Sequence, residues 1–540
     1  MTKAKKLKKT VKTVKTEKNI KKINQPTLLV ILDGFGLADV KNKGNTITPE
    51  TAPNIFGYLK KYPSSKIITY GEKVGLFKGQ QGNSEAGHIN IGAGRIVKQD
   101  LVQISDAIHD GTFFKNEAFK QAVHHVKKYD TAVHIMGLLT DSNSAHAYPE
   151  HFHALLEYFR REKIDKVYLH LFTDGRDSSP HGAADFLREM RGHMLAHEKI
   201  ATIMGRFYAM DRNKIWSRTQ QAYEAMVLGQ GCKADSAEDA LSQSYNRDET
   251  DEYLCPTVIM EKTDGPRSKK KPVATINDND AVFFINSRSD RARQITKAFV
   301  QKDFNKRNRG SFHRTKVLKN IRFVAMTDFG PDLDHLMTAF PSPDLMATLP
   351  MVLKEKRQLY ISESEKYAHI TYFMNGGYAD PINGEIRMKI ESPLVRSYEE
   401  KPEMAANEIT AEVIRYLDKL DFICINFANA DMVGHTGNFE AGKKAVNTID
   451  TCVAKIVEQA LKRDGQVLIT ADHGNADEMI NLQTNEMMTE HTLNPVPCIL
   501  ISNKTRGIRL KDGILADIAP TILKMMEVEK PREMSGKVLF

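Results

Sequence analysis

Short apolar runs alternate along the chain with stretches of mixed apolar and polar residues. The runs at 27–32 (TLLVIL), 421–427 (DFICINF) and 466–470 (QVLIT) are almost wholly apolar, a pattern typical of strands buried on both faces. Further strand candidates lie at 132–139, 166–172, 201–205, 281–286 and 321–326. The stretches 151–161 and 403–420 have the spacing of amphipathic helices. This alternation predicts an α/β protein with mostly parallel sheets.

The chain has 540 residues, which is too long for one hydrophobic core. Two stretches have the composition of joints, one near residue 98 and the other at 339–345 (AFPSPDL), where two prolines follow an acidic loop. We therefore expect three structured segments after the tail. They span residues 23–98, 99–340 and 341–540.

The basic residues are concentrated at one end of the chain. The net charge is +9, and residues 1–22 alone contain ten Lys and one Glu, so the remaining chain is electrically balanced. This distribution argues against a specific nucleic-acid surface spread over the fold. We expect residues 1–22 to be a disordered, solvated tail, with weak binding to acidic partners as the alternative. No apolar run approaches the roughly 18 residues of a membrane span.

The five cysteines, at 232, 255, 424, 452 and 498, include no CxxC pair. They are too few to staple a chain of this length. A reducing cytoplasm is the simplest compartment for such a protein.

Three strand candidates end in acidic residues. Asp33 follows the first strand, Asp431 follows the strand at 421–427, and Asp472 with His473 follows the strand at 466–470. Because ligands collect at the carboxyl ends of strands in open α/β sheets, we expect these side chains to converge. Convergence requires one domain built from 23–98 and 341–540, with 99–340 inserted.

Two further histidines add to this acidic set. His435 stands four residues after Asp431, and His491 lies in the loop EHTLNPVPC. A lone Asp after a strand is most often a turn or helix cap, and a lone His is usually structural. Six such side chains together are better explained as ligands, and they suffice for two divalent transition-metal ions.

Ser84 is surrounded by glycines in the segment 81–95 (QGNSEAGHINIGAGR). It is either a simple helix cap or a nucleophile. Metal ions can stabilise its alkoxide and shield a phosphoryl group in transfer, in which case Ser84 forms a phosphoserine.

Eight long motifs resemble those of a known family, the cofactor-independent phosphoglycerate mutases of the alkaline phosphatase superfamily. The resemblance runs from about residue 25 to residue 540. In chain order the motifs are ILDGFGL, GNSEAGHINIGAGR, TDGRDSSP, GRFYAMDR, DRARQIT, EKYAHITYFMNGG, NADMVGHTGN and ADHGNADEM.

The resemblance implies an alkaline-phosphatase-like metal domain with an inserted substrate-binding transferase domain. It implies that one manganese ion is held by Asp33, Ser84, Asp472 and His473, and a second by Asp431, His435 and His491. It implies that Ser84 carries the phosphoryl group and that 2,3-bisphosphoglycerate is not needed. The implied substrate-binding residues are His146, Arg176, Asp177, Arg206, Arg212, Arg288, Arg291 and Lys366.

The implied reaction interconverts 3-phosphoglycerate and 2-phosphoglycerate in glycolysis and gluconeogenesis, in a cytoplasmic monomer. Arginine forks match both the phosphate and the carboxylate of such a substrate, although a single Arg is more often a surface ion-pair partner. The segment 141–151 (DSNSAHAYPEH) departs from the family's pattern. Allowing one inserted residue aligns His146 with the family's substrate-binding His, whereas without it Ala145 falls there. Ser287 also replaces the family's usual aromatic residue.

Two other functions stay open. One is another metal-dependent phosphatase or sugar-phosphate mutase of the same superfamily, because a two-metal core does not choose a substrate. The other is a non-enzymatic adaptor that binds acidic partners through the lysine-rich tail. The presence of Ser84 and of all the implied metal ligands argues against the adaptor.

Overall fold

The computed structural model describes residues 25–142, 144–263, 269–330, 332–342, 344–381, 384–482, 484–505 and 507–540. The chain divides into two compact units. The terminal unit comprises Met1–Lys98 and Asp344–Phe540, and the inserted unit comprises Gln99–Pro343. Sequence analysis places the joints at 98/99 and 340/341. The predicted tail at 1–22 lies outside the described residues.

The strands, in chain order, are β1 (Thr27–Leu32), β2 (Ser64–Ile68), β3 (Val133–Leu139), β4 (Val167–Thr173), β5 (Glu198–Gly205), β6 (Cys232–Ala234), β7 (Thr257–Lys262), β8 (Lys270–Pro272), β9 (Ala281–Phe284), β10 (Arg322–Ala325), β11 (Leu336–Thr338), β12 (Gln358–Glu363), β13 (Ile386–Ile390), β14 (Phe422–Phe427), β15 (Gln466–Thr470), β16 (Val496–Ile501) and β17 (Gly513–Ile514).

The α-helices are α1 (Pro53–Lys61), α2 (Ser84–Ala93), α3 (Asp100–Asp110), α4 (Glu117–Tyr129), α5 (Pro149–Arg161), α6 (Ala183–His193), α7 (Arg206–Ala209), α8 (Trp216–Leu228), α9 (Ala237–Tyr245), α10 (Ser289–Val300), α11 (Phe304–Arg307), α12 (Leu349–Val352), α13 (Ala406–Tyr416), α14 (Asn429–Gly434), α15 (Phe439–Leu461) and α16 (Ile518–Met525). A π-helical turn spans His369–Phe373. No helix among the described residues combines the length and apolar character needed to cross a membrane.

The sheet of the terminal unit has the strand order β13-β12-β14-β1-β15-β16-β2-β17 among the described residues. The five strands from β13 to β15 pair in parallel, and β16 runs antiparallel to both of its neighbours. β1 is fully buried between β14 and β15, which explains why all of its residues except Thr27 are apolar. Near the carboxyl ends, Ile31 aligns with Asn426 on one side and with Thr470 on the other, so these three strands end at the same edge.

The sheet of the inserted unit has the order β11-β10-β9-β3-β4-β5-β7-β6, with β8 paired to β7. The strands from β11 to β5 are parallel, while β7 is antiparallel to β5. The predicted mostly parallel α/β architecture is therefore confirmed. Each unit has its own large apolar core, centred on its sheet, as expected of separately packed domains.

The predicted strands are all present, with shifts of a few residues at their ends. β1 and β15 have the predicted bounds, whereas β5 begins three residues before the predicted 201. The helix predicted at 403–420 is α13, shorter at both ends. Such shifts arise because end residues gain or lose pairing partners that local sequence does not specify.

Two of the five cysteines are paired, although the sequence has no CxxC motif and too few cysteines to staple a chain of this length. Cys232 and Cys255 form a disulfide within the inserted unit, while Cys424, Cys452 and Cys498 are buried and free. The disulfide joins residues 23 apart. It therefore closes a local loop beside β6 and β7 and does not staple distant parts of the chain.

Candidate functional site

The ends of β14, β1 and β15 bring the predicted acids together in the terminal unit. Asp33 directly follows β1, Asp431 lies in the short helix after β14, and Asp472 lies two residues beyond β15. All three carboxylates are buried, at 0–2% exposure. Gly34 has a left-handed φ of +76°, and a Cβ there would lie 2.7 Å from the Asp431 Cα. Only glycine therefore permits this close approach of the loops.

Asp431, His435 and His491 form one compact group. The Nε2 atoms of His435 and His491 lie 3.3 and 3.2 Å from the Asp431 Oδ1, and 3.2 Å from each other. The Nδ1 atom of His435 is bonded to the Thr489 carbonyl, and that of His491 to the Gly82 carbonyl, both at 2.7 Å. In neutral imidazoles these Nδ1 atoms donate, so two Nε2 lone pairs and one carboxylate oxygen face the same point.

Ser84 is the first residue of α2, and Asn83 caps that helix by accepting from the Ala86 N–H. The hydroxyl oxygen of Ser84 lies 2.9 Å from the His473 Nε2 and 3.2 Å from the Asp33 Oδ1. α2 approaches this closely because residue 87 is glycine, where a Cβ would lie 2.7 Å from the Asp472 Cβ.

Lys366 lies in the same place, in the turn after β12. Its ammonium is 2.7 Å from the Asp33 Oδ1, 2.6 Å from the Asp431 Oδ2 and 2.7 Å from the Ser84 hydroxyl. Burial alone would lower the pKa of Lys366, but Asp33, Asp431 and Asp472 raise it above its ordinary value. Lys366 is therefore a permanent cation beside the serine. We refer to Ser84, Lys366 and the predicted ligands together as the acidic centre.

The charges of the acidic centre favour further cations. Burial, with repulsion from Asp472, raises the pKa of Asp33 to about 6. Burial lowers the pKa of His473 to about 3, so this imidazole is neutral. Carboxylates brought together in a low-dielectric interior require a compensating positive charge.

The residues of the acidic centre fit divalent metal ions. Three groups of side chains have ligand atoms within 4.8 Å of one another: Asp431 with His435 and His491, Asp33 with Asp431 and His473, and Asp33 with His88 and Asp472. The buried Asp472 Oδ2 has no hydrogen-bond partner among the described residues. This buried carboxylate oxygen lies 3.3 Å from the His88 Nδ1. Together with the converging imidazole nitrogens of the acidic centre, it provides a donor set for transition-metal ions.

The predicted substrate-binding residues other than Lys366 lie in the inserted unit. Arg206 begins α7 directly after β5 and is only 2% exposed. Its guanidinium pairs with Asp174, 2.5 Å away, and with Asp177, 2.9 Å away. Asp174 also accepts a bond from the Thr140 hydroxyl at 2.5 Å and from the backbone N–H of Arg176 and Asp177. Asp174 thus fixes both Arg206 and the loop after β4.

The other arginines are more exposed. Arg212 pairs with Asp290 at 2.7 Å, and Arg288 lies 3.8 Å from the same carboxylate. Burial and the charges of Arg206, Arg212 and Arg176 lower the pKa of Arg291, which places it among them. We call this set the arginine cluster: Arg176, Arg206, Arg212, Arg288 and Arg291.

His146 lies beside the arginine cluster. Its Nδ1 atom is 3.9 Å from the Asp290 carboxylate, and its carbonyl accepts from the Ser287 N–H at 2.8 Å. Burial and the nearby Arg206 lower the pKa of His146 to about 4, so the ring is neutral. Ala145 is exposed. The assignment of His146 as the substrate-binding histidine stays a prediction.

Sequence analysis did not select His88, Asn426, Asp174 or Asp290, although all four contact predicted site residues. Asp174 and Asp290 lie inside quoted motifs, TDGRDSSP and DRARQIT. Asn426 was detectable as the polar residue of an otherwise apolar strand, FICINF. His88 gave no separate signal, because a buried helical histidine is usually structural.

Two family profiles and a solved structure are similar to this chain. The family profile described as the BPG-independent PGAM N-terminus matches residues 104–331. The profile of type I phosphodiesterase / nucleotide pyrophosphatase matches residues 280–521. The structure is similar to a phosphoglycerate mutase of Leishmania mexicana crystallised at low cobalt concentration, with a TM-score of 0.74, 27% identity, and coverage of 96% of this chain and 98% of that one.

Curated relatives are similar over nearly the whole chain. A 2,3-bisphosphoglycerate-independent phosphoglycerate mutase of Clostridium acetobutylicum is 47% identical over 522 residues, covering 96% of this chain and 99% of the relative. The enzyme of the same description from Moorella thermoacetica is 45% identical over 524 residues, with the same coverage. The family resemblance found in the sequence motifs is thereby confirmed. The chain belongs to the 2,3-bisphosphoglycerate-independent phosphoglycerate mutases, a family of isomerases.

Proposed function

We propose that this protein interconverts 3-phosphoglycerate and 2-phosphoglycerate through a phosphoserine on Ser84. Membership of the family implies a small-molecule substrate and divalent metal ions. The observation that carries the proposal is the position of the Ser84 hydroxyl, within 3.2 Å of Asp33, His473 and Lys366. A serine held this way is oriented for attack on phosphorus.

Two ions would be held by the residues of the acidic centre. Asp33, Ser84, Asp472 and His473 would hold the first, and Asp431, His435 and His491 the second. We propose manganese, which carboxylate and imidazole ligands accept. When bound, the pair would lower the pKa of the Ser84 hydroxyl and neutralise charge on the phosphoryl oxygens.

The residues of the chain then carry out the transfer. Ser84 forms a bond to phosphorus while the bond from phosphorus to the glycerate oxygen breaks, and the proton lost by the Ser84 hydroxyl is balanced by the one that the departing glycerate oxygen gains. In the return step the other hydroxyl of the same glycerate takes the phosphoryl group and the proton returns to Ser84. Lys366 donates to the Ser84 oxygen at 2.7 Å, where its charge stabilises the developing anion. The arginine cluster binds the carboxylate of the glycerate and retains it between the two transfers.

The test combines three measurements on a Ser84→Ala variant. A coupled enolase assay follows formation of 2-phosphoglycerate, inorganic phosphate is measured in parallel, and intact mass detects the phosphoryl-enzyme. We expect Ser84→Ala to lose both isomerisation and the phosphoryl-enzyme. Ser105→Ala is the matched control, because Ser105 is also a buried serine bonded to a histidine, His151, at 3.0 Å.

Two results would contradict the proposal. A Ser84→Ala variant that still isomerises would exclude the phosphoserine. Phosphate release by the wild type without isomerisation would instead favour the metal-dependent phosphatase. The cytoplasmic location, the monomeric state and the contribution to glycolysis and gluconeogenesis stay predictions.

A further inference from the structure

Asn426 is a polar residue inside the buried strand β14. Its side chain is 0% exposed, between apolar neighbours of the sequence FICINF. Burying an amide is costly unless it forms hydrogen bonds. The Asn426 Nδ2 donates to the Asp33 Oδ2 at 2.7 Å and lies 3.0 Å from the His88 Nε2. A strand position that could hold an apolar residue instead holds an amide directed at Asp33 of the acidic centre and at the neighbouring His88.

The chemistry of the partners fixes the orientation of the amide. A carboxylate only accepts hydrogen bonds, so the nitrogen of Asn426, and not its oxygen, must face Asp33. The second hydrogen of this nitrogen is then available to the His88 Nε2, which must accept. A neutral His88 consequently carries its proton on Nδ1, the atom that lies 2.8 Å from the Ser84 carbonyl.

This arrangement gives His88 a role different from that of a metal ligand. The Nδ1 atom of His88 also lies 3.3 Å from the Asp472 Oδ2, and the side chain belongs to one of the groups able to hold an ion. With Nε2 occupied by Asn426 and Nδ1 directed at the backbone of Ser84, however, neither nitrogen has a lone pair free for a metal. His88 instead connects the first turn of α2 to β14.

Asn426 thereby links β14 to the residue after β1, Asp33, and to the helix α2. Asn426 occupies one oxygen of Asp33 and leaves the other, Oδ1, facing the Ser84 hydroxyl at 3.2 Å. Through His88 the same amide also supports the backbone of Ser84. Two members of the predicted first ion set are thus oriented by a single side chain. Such outer partners of metal ligands commonly affect metal affinity by about 10–100-fold.

We propose that Asn426 and His88 are positioning residues for the first ion, acting on Asp33 and Ser84 without touching the ion or the phosphoryl group. The inference rests on the two-ion site of the proposed function. It predicts a selective loss of affinity for one ion, which a merely structural role would not produce.

The experiment measures metal binding by the full chain, separately from turnover. Chelator-treated wild type, Asn426→Leu and Asn90→Leu are titrated with Mn²⁺ by calorimetry and with Co²⁺ by visible absorption. Asn90 is the matched control, because it is a 0% exposed amide on the same helix as Ser84. Among the described residues its side chain bonds to the backbone of Val74, Ala86 and Val97. Circular dichroism without metal establishes that each variant is folded.

We expect Asn426→Leu to bind one ion about 10–100-fold more weakly, to retain the second, and to change the Co²⁺ spectrum. Asn90→Leu is expected to bind both ions as the wild type does. Equal binding by folded Asn426→Leu and wild type would overturn the inference, as would an equal loss in Asn90→Leu. If Asn426→Leu does not fold, Asn426→Ala and His88→Gln are titrated in the same way with the same criteria.

Failure of the proposed function gives a different result. In that case the wild type itself binds no pair of ions, or binds them and forms no phosphoryl-enzyme. Failure of the positioning role alone leaves wild-type binding intact and the Asn426 variants indistinguishable from it.

Discussion

Two clusters of charged side chains, one in each unit, differ in sign and in exposure. In the terminal unit, Asp33, Asp431 and Asp472 are buried beside the ammonium of Lys366. In the inserted unit the excess is basic, and most of the arginines are about half exposed, with side-chain values of 54% for Arg176, 51% for Arg212 and 45% for Arg288.

The difference reflects what each cluster has to bind. A bare metal ion must exchange its water for protein ligands, so the carboxylates of its site are buried at the strand ends. His435 and His491, which are held by backbone carbonyls, are more exposed, with side-chain values of 43% and 17%. A substrate anion must enter and leave, and exposed arginines can bind it without a large desolvation cost. Arg206 is the exception, because it is buried and already paired with Asp174 and Asp177.

Removal of the metal ions is the strongest test of the acidic centre. We expect chelation to lower isomerisation by more than about 10³-fold, since loss of one electrostatic stabiliser alone typically costs about 10²–10³. Readdition of Mn²⁺ should restore the rate. Full activity in protein shown to be metal-free by elemental analysis would contradict the two-ion assignment.

Substitution of Arg206 should have the next largest effect. Arg206→Met leaves Asp174 and Asp177 as uncompensated charges, so we expect a loss of about 3–5 kcal/mol in the free energy of unfolding of the inserted unit. A fall in kcat/KM should accompany it. Urea unfolding and steady-state kinetics measure the two effects. In the double variant Arg206→Met/Asp174→Asn, part of the stability should return, and no recovery would argue against this pairing.

Protonation of the buried Glu363 should make the terminal unit more stable at low pH than at neutral pH. It is 0% exposed at the end of β12, and neither carboxyl oxygen has a hydrogen-bond partner of ordinary geometry among the described residues. Burial raises the pKa of Glu363 to about 7, although the nearby Ser392 hydroxyl and Ala405 amide limit the increase. Because this pKa exceeds that of the unfolded chain, the stabilisation is complete below about pH 4.5 and is lost as the pH rises through 7.

Glu363→Gln should remove this pH dependence. At pH 8 we expect the variant to be more stable than the wild type by up to about 3 kcal/mol, and at pH 4.5 the difference should vanish. Denaturant unfolding at both pH values measures the effect. Equal stability of the two proteins at pH 8 would show that Glu363 has a partner that compensates its charge.

The smallest effect is expected from an exposed member of the arginine cluster. Arg212→Met should raise KM by about tenfold or less and leave stability within about 1 kcal/mol of wild type, because exposed ion pairs contribute little. Its ion pair with Asp290 is half exposed. If Arg212→Met destabilised the protein as much as Arg206→Met, the exposed fraction of an arginine would not determine how much its ion pair contributes to stability.

Much of this organisation was predictable from local patterns. The apolar run at 27–32 identified β1 without error, and Asp33, Asp431 and Asp472 were expected to converge because each follows a parallel strand. The unpredicted contacts are those between side chains distant in sequence. Asn426 and Asp33, for example, are separated by 393 residues, and no local periodicity encodes their hydrogen bond.

The sequence by itself determined the strands, their acidic ends, the family motifs and the basic character of the tail, because each depends on residues adjacent in the chain. Only the tertiary structure decided which atoms meet. It placed Lys366 beside Ser84, paired Arg206 with Asp174, and joined Asn426 to His88. Those contacts depend on side-chain packing and on the balance between desolvation and hydrogen bonding in three dimensions, which the order of residues along a strand does not reveal.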